Sequence, residues 1–195
     1  MTQERASREK WHRWLGKLRD EVLTLFLYRK FWRDFIAAAQ AAQVPPSYIF
    51  NFFMDAYSAQ QAVAIRRICS GRPTQYSFHH LLTEIRDHPR LTANPADPVE
   101  VEQDIRSLDA GNLGLVRKYV DEFVAHKQVI PVAAVPTFTD IHDAIDDLGG
   151  LLRKYMVLVD DEDQLLDAVV AGDVMGPFRM AWLPKLPERP KPWRS

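Results

Sequence analysis

Apolar residues recur along this chain at the spacing of three or four that is typical of helices, and no sustained alternation of apolar and polar residues occurs. A helix returns to the same face every three to four residues, whereas a strand does so every second residue, so the pattern predicts an all-α protein. Prolines, glycines and capping residues divide the pattern into an up-and-down helical bundle of about seven to eight helices. The predicted helices span residues 6–18, 20–43, 47–70, 77–87, 97–108, 113–127, 139–159 and 163–171.

Two of these helices carry broad apolar stripes that we expect to face the core. On helix 20–43 the stripe is formed by Leu23, Phe26, Leu27, Phe31, Phe35 and Ala39. On helix 47–70 it is formed by Ile49, Phe52, Phe53, Ala56, Ala59, Val63 and Ile68. Aromatic residues interleaved with arginine and lysine also suit stacking on nucleic-acid bases, but the helical spacing favours a place in the core.

Helix starts are marked by residues whose side chains accept hydrogen bonds from unpaired backbone amides. Ser47 and Ser77 are expected to cap two helices, and Asp97-Pro98-Val99-Glu100 has the sequence of a capping box with proline in the first turn. The segment 129–138 contains two prolines and is predicted to be extended.

A length of 195 residues suits one hydrophobic core. We expect a peripheral N-terminal helix at residues 1–19, a helical domain at 20–184 and a proline-rich C-terminal tail at 185–195. The last thirteen residues contain four prolines, so we expect the tail to be extended. It either frays, packs Trp193 against the protein or presents itself to a partner.

Composition narrows the classes of function. The formal net charge is -1 and the pI about 6.6, so the chain lacks the global basic field of a general nucleic-acid or membrane-surface binder. Cys69 is the single cysteine, which excludes an internal disulfide and multi-cysteine zinc sites. No apolar run is long enough for a secretory signal or a membrane span, so we expect a cytoplasmic protein with no membrane partner.

Motifs for common cofactor and hydrolase chemistry are absent from the sequence, including GxxxxGK[ST], GxGxxG, GxSxG and HExxH. We therefore expect neither a cofactor nor a metal. Asp143 and Asp147 share a helix face, but a string of acidic residues is more typical of a solvated face than of a metal site.

One helix end combines groups suited to proton transfer and phosphate binding. His126 follows Glu122 by four residues and Lys118 by eight, which places the three on a loosely shared helical face. A histidine can accept or donate a proton near neutral pH, and a lysine can stabilise an anionic intermediate. Alternatively, His126 is simply favoured by the negative end of its helix.

A pair of arginines ends helix 47–70 and allows the same two interpretations. Arg66 and Arg67 either stabilise the helix end electrostatically or bind a phosphate group.

The stretch Asp121–Lys127, with the sequence DEFVAHK, resembles the end of the signature helix in the HEPN superfamily, particularly its AbiU-type abortive-infection subgroup. Other features agree with this resemblance: AIRRI at 64–68, SFHHLL at 77–82, the long helix after 136–140 and the aromatic segment 178–182. The resemblance covers roughly residues 20–184.

Membership of this superfamily implies a helical bundle that forms a homodimer and, in active members, a metal-independent ribonuclease. The resemblance assigns His126 to the catalytic histidine and Asp121 to the polar position of the signature. Val120 stands where the signature has arginine, and Lys118 is the nearest substitute cation, so the motif is degenerate. The catalytic candidates are therefore His126 and Asp121, and the nucleic-acid-binding candidates are Lys118, Lys127, Arg66 and Arg67.

The sequence supports three hypotheses. The first is a non-catalytic binding or scaffolding role in a toxin-like or abortive-infection system of phage defence. The second is a metal-independent endoribonuclease in which His126 acts as general acid and base, while Lys118 or the Arg66–Arg67 pair supplies positive charge. The third is a helical protein-interaction module without a nucleic-acid role. Expected partners are a second copy of the chain, and either RNA or another protein.

Overall fold

The computed structural model describes residues 3–41, 43, 45, 47–71, 76–124 and 135–160. These residues form six α-helices and two short helical turns and contain no strand, which confirms the all-α prediction. The α-helices are α1 (Gln3–Ala41), α2 (Tyr48–Cys69), α3 (Phe78–Asp87), α4 (Pro98–Ser107), α5 (Gly111–Tyr119) and α6 (Phe138–Asp160). A 3-10 turn (Pro89–Leu91) follows α3, and a π-helical turn (Val120–Val124) follows α5. The predicted helix 163–171 and the proline-rich tail lie outside the described residues.

The predicted caps at three helix starts are confirmed. Ser47 accepts a hydrogen bond from the Phe50 amide, and Ser77 accepts one from the His80 amide. Asp97 accepts one from the amide of Val99 at 2.9 Å. Because each cap involves only a few neighbouring residues, local sequence is sufficient to predict it.

The second half of the predicted capping box is different in the structure. The carboxylate of Glu100 does not turn back to its own helix but accepts a hydrogen bond from Lys154 of α6 at 2.7 Å. A reciprocal exchange forms instead at the start of α6, where Thr137 and Asp140 each bond the other's backbone amide. The ion pair with Lys154 thus replaces a local bond by a link between α4 and α6.

The predicted boundary between two N-terminal helices near residue 19 is not present, because α1 is continuous from Gln3 to Ala41. Its first half is not peripheral: Trp11, Leu15 and Leu18 are fully buried. Buried positions alternate three and four residues apart through this helix, so one apolar stripe continues across the expected boundary. The Trp11 indole also donates to Glu84 of α3 at 3.0 Å.

The buried faces of α1 and α2 are rotated from the predicted ones. Leu27, Phe52, Phe53 and Val63 were expected in the core but are exposed. The core face instead comprises Val22, Leu25, Arg29 and Trp32 on α1, and Tyr57, Gln61, Ala62, Ile65, Ile68 and Cys69 on α2. Both helices are apolar on more than one side, so periodicity alone does not identify the inner side.

α6 forms the centre of the bundle. It runs antiparallel to α1, since its start contacts Trp32 and its middle contacts the earlier residue Arg29. Its inner face is fully buried and consists of Ile145, Leu148, Leu152 and Tyr155 together with Ile141 and Ala144. α5 packs beside it, α2 packs on α5, and α3 pairs with α4.

The turn from α4 to α5 depends on glycine. Gly111 has φ 55°, in the left-handed region that residues with a side chain rarely adopt. Gly114 lies so close to the backbone carbonyl of Asp109 that a Cβ atom would collide with it. This turn sets the direction of α5 and of the π-helical turn that follows.

We expect Gly114→Ala to lower the free energy of unfolding by about 1–3 kcal/mol, the usual cost of overpacking, because the backbone must move. Gly150→Ala is the matched control: a Cβ there meets nothing within 4 Å, and Gly150 lies inside α6. That change should raise the free energy of unfolding by about 1 kcal/mol through helix propensity. Urea titration measures both values, and equal effects of the two changes would contradict the close approach at Gly114.

Candidate functional site

The segment that carries the sequence motif begins as α-helix and then changes its hydrogen-bond pattern. α5 ends at Tyr119, and Val120–Val124 forms a π-helical turn. The predicted α-helix through residue 127 is therefore interrupted, and angles of 100° per residue do not apply beyond Tyr119. Such π-helical turns occur frequently at functional sites.

Val120 lies at the position where the signature expects arginine. Its side chain is 6% exposed and belongs to the hydrophobic core, as does that of Val116 one turn earlier. An arginine here would be directed into apolar surroundings. The replacement of arginine by valine thus agrees with the burial of this position.

Asp121 makes the strongest contact of the motif. One of its carboxylate oxygens accepts from two nitrogens of Arg66, at 2.8 Å from Nε and 2.7 Å from Nη2. Arg66 is on α2, so the pair joins α2 to the π-helical turn. Both residues were site candidates, but their contact across 55 positions of sequence was not foreseen. The pair neutralises the guanidinium that lies beside the motif.

The other candidate cations do not converge on this pair. Arg67 turns toward α1, where its Nη2 lies 3.4 Å from Glu21. Lys118 is largely exposed, with its Nζ 4.0 Å from Glu122. His126 and Lys127 lie outside the described residues.

A second polar group, which the sequence did not reveal, lies where α1, α2 and α6 meet. We call Arg29, Tyr57, His142 and Asp146 the buried polar cluster. Arg29 donates to the His142 carbonyl at 3.0 Å and forms an ion pair with Asp146 at 2.8 Å. The Tyr57 hydroxyl and His142 Nε2 share a hydrogen bond of 3.0 Å. The available signal was Arg29, which occupies a core position within the apolar stripe of α1.

Burial shifts the acid–base behaviour of this cluster. It raises the pKa of Tyr57 to about 12, so the phenol stays protonated. Burial, together with the positive charges of Arg33 and Arg29, lowers the pKa of His142 to about 4. The imidazole is therefore neutral at pH 7, and the cluster can fix helix positions through directional hydrogen bonds.

The described residues give no support for a metal or a membrane span. No group of three or more histidine, cysteine or carboxylate side chains among them is arranged to hold a metal ion. None of the described helices combines the length and apolarity required to cross a bilayer.

An all-α bundle that carries this signature segment defines a HEPN-like helical domain. The chain belongs to the AbiU2 family of HEPN domains, whose family model matches residues 8–174. The family therefore relates the protein to abortive infection, as the sequence resemblance implied. No curated protein and no solved structure matches the chain.

We expect the protein to lose stability on acidification partly through His142. Its pKa is about 4 in the folded state and about 6.5 in an unfolded chain. The unfolded state therefore takes up the proton first, and the contribution present above pH 6.5 is lost as the pH falls toward 4. Melting temperatures of the parent and His142→Gln, measured from pH 7.5 to 4.5, should converge as the pH falls. A constant difference would show that the His142 side chain does not titrate in this range.

Proposed function

We propose that this protein is a non-catalytic binding or scaffolding component of an abortive-infection system in phage defence. The observation that carries the proposal is the burial of Val120 in the core, at the position where the HEPN signature has arginine. The family match supports the link to abortive infection. The ion pair between Arg66 and Asp121 supports the absence of catalysis.

The chemistry of RNA cleavage explains why this position matters. An arginine beside the scissile phosphate stabilises negative charge as it develops, and removing one such group commonly lowers the rate by about 100- to 1000-fold. Val120 provides no charge. Arg66 is already bound to Asp121, so contact with phosphate would require that ion pair to break.

We further propose that the protein acts in the cytoplasm as a homodimer and binds RNA or another protein. Lys118 supports an RNA contact because its ammonium group is exposed and weakly held by Glu122. The apolar surface of α1 and α2 supports contact with a protein.

The central prediction is that the purified protein does not cleave labelled RNA in the absence of metal. Parent protein and His126→Ala should give the same uncleaved product pattern on a denaturing gel. Cleavage by the parent that disappears in His126→Ala would overturn the non-catalytic proposal. A binding assay on the same samples separates the remaining roles, since the absence of RNA binding would favour a protein-interaction module.

A second candidate function is a metal-independent ribonuclease in which α2 supplies the missing cation. The specific observation in its favour is that the Arg66 guanidinium lies against Asp121, next to the motif. His126 would then act as general acid and base while Arg66 exchanges its carboxylate partner for phosphate.

Arg66→Gln and Arg67→Gln form a matched pair for this second function, because the residues are adjacent but face different helices. If the ribonuclease exists, Arg66→Gln should lower cleavage by at least about 100-fold, the usual effect of losing such a donor. Arg67→Gln should leave cleavage unchanged. Equal losses in both variants would indicate general RNA binding instead of a catalytic role for Arg66.

A further inference from the structure

A groove lined by aromatic side chains runs between α1 and α2, and we call it the aromatic groove. Its volume is about 510 Å³. The aromatic residues that line it are Tyr28, Phe31, Trp32, Phe35, Phe53 and Tyr57. It is separate from the Arg66–Asp121 pair, since neither residue lines it.

Large apolar side chains along this groove remain exposed in the described structure. Phe53, which lines the groove, is 52% exposed, and its neighbour Phe52 is 60% exposed. Tyr48, at the start of α2, is more exposed still. Contiguous apolar surface of this kind marks a site where another segment or molecule binds.

The floor of the groove is rigid. The rings of Trp32 and Tyr57 stack with centroids 4.6 Å apart and 9° between their planes. Phe138 of α6 stacks on the other contact face of Trp32 at 5.2 Å and 11°. The Tyr57 hydroxyl is held by His142. Parallel aromatic rings held in this way form a preorganised surface for flat, weakly polar groups.

The chain itself contains a segment with matching chemistry. Residues 184–193 read PKLPERPKPW, with prolines at 184, 187 and 190. A polyproline II helix has three residues per turn, so these three prolines would share one edge. Proline-rich segments in this conformation dock in aromatic-lined grooves and lose little entropy on binding.

The dimensions of the segment and the groove agree. Six residues of polyproline II helix, from Pro184 to Pro190, extend about 19 Å. The aromatic face of α2 from Tyr48 to Gln60 extends about 18 Å at the helical rise of 1.5 Å per residue.

The intervening chain is long enough for the contact. α6 starts at Phe138 on the floor of the groove and ends at Asp160, about 33 Å away at the helical rise. Residues 161–183 connect Asp160 to the segment, and a chain of that length extends to about 76 Å when stretched and averages about 26 Å when flexible. Tethering also raises the effective concentration of the segment to about the millimolar range.

We propose that the aromatic groove between α1 and α2 is the docking site for the protein's own proline-rich segment, residues 184–193, bound within the same chain. The prolines pack against the parallel rings, and Trp193 covers exposed apolar surface at the end of the groove. The docked segment competes with any other molecule for this surface.

Paramagnetic relaxation enhancement tests the contact in the full chain. Ser195→Cys introduces a labelling site beside the segment, while Cys69 is fully buried and burial raises the pKa of its thiol to about 12. The introduced thiol therefore takes a spin label selectively. We expect loss of amide signal intensity for residues 27–35 and 53–60 and little loss for α3 and α4. Unchanged intensities at the groove would overturn the proposal.

Two variants of the labelled protein identify the contact surface. Phe53→Ser should restore the groove signals, whereas Tyr76→Ser, which removes an aromatic ring of similar exposure outside the groove, should not. Replacing Pro184, Pro187 and Pro190 with serine should also restore the signals. Thermal melting confirms that each variant is folded, and signal loss that persists in Phe53→Ser or in the serine-substituted segment would overturn the proposed docking.

A mixed sample identifies the chain that supplies the segment. Spin-labelled protein without isotope is mixed with isotope-labelled protein that carries no spin label. Intramolecular docking predicts no signal loss in this mixture. Signal loss at residues 27–35 and 53–60 would show that a second copy occupies the groove and would overturn the intramolecular contact.

Discussion

The guanidinium of Arg29 is the charge around which the three long helices are arranged. It is 8% exposed, lies over the ring of Phe26 and bonds both the backbone and a side chain of α6. An unpaired charge at this depth would cost several kcal/mol, so α1 and α6 must pack in the alignment that supplies its partners. The same alignment brings Phe138 onto Trp32 and His142 onto Tyr57. The floor of the aromatic groove thus follows from the need to neutralise one arginine.

Those elements that depend on near neighbours could be predicted from the sequence. Ser47, Ser77 and Asp97 cap helices as expected, because a cap involves residues only two or three positions apart. The inner faces of α1 and α2 were predicted incorrectly, since both helices carry more apolar surface than the core of the bundle can cover. Phe53 illustrates the difficulty: its spacing is that of a core residue, but the structure exposes it.

The candidate site was predictable in part for a similar reason. The DEFVAHK stretch was sufficient to indicate the family, which the match over residues 8–174 confirms. The contact between Arg66 and Asp121 joins two helices that are distant in sequence, and no local pattern encodes it. Arg29 did carry a signal, because an arginine within an apolar stripe requires a buried partner, but its partner could not be identified before α6 was placed.

The π-helical turn at Val120–Val124 changes what a residue count along the motif means. A π-helical turn holds one more residue than the corresponding turn of an α-helix, so it has the effect of a single-residue insertion that the helix absorbs without a break. Two related chains with the same spacing in sequence can therefore direct the same residue to different sides if only one of them contains the turn. Comparisons within such a family need to align helical rotation as well as letters, because a single deletion in this turn would rotate all that follows by about 100°.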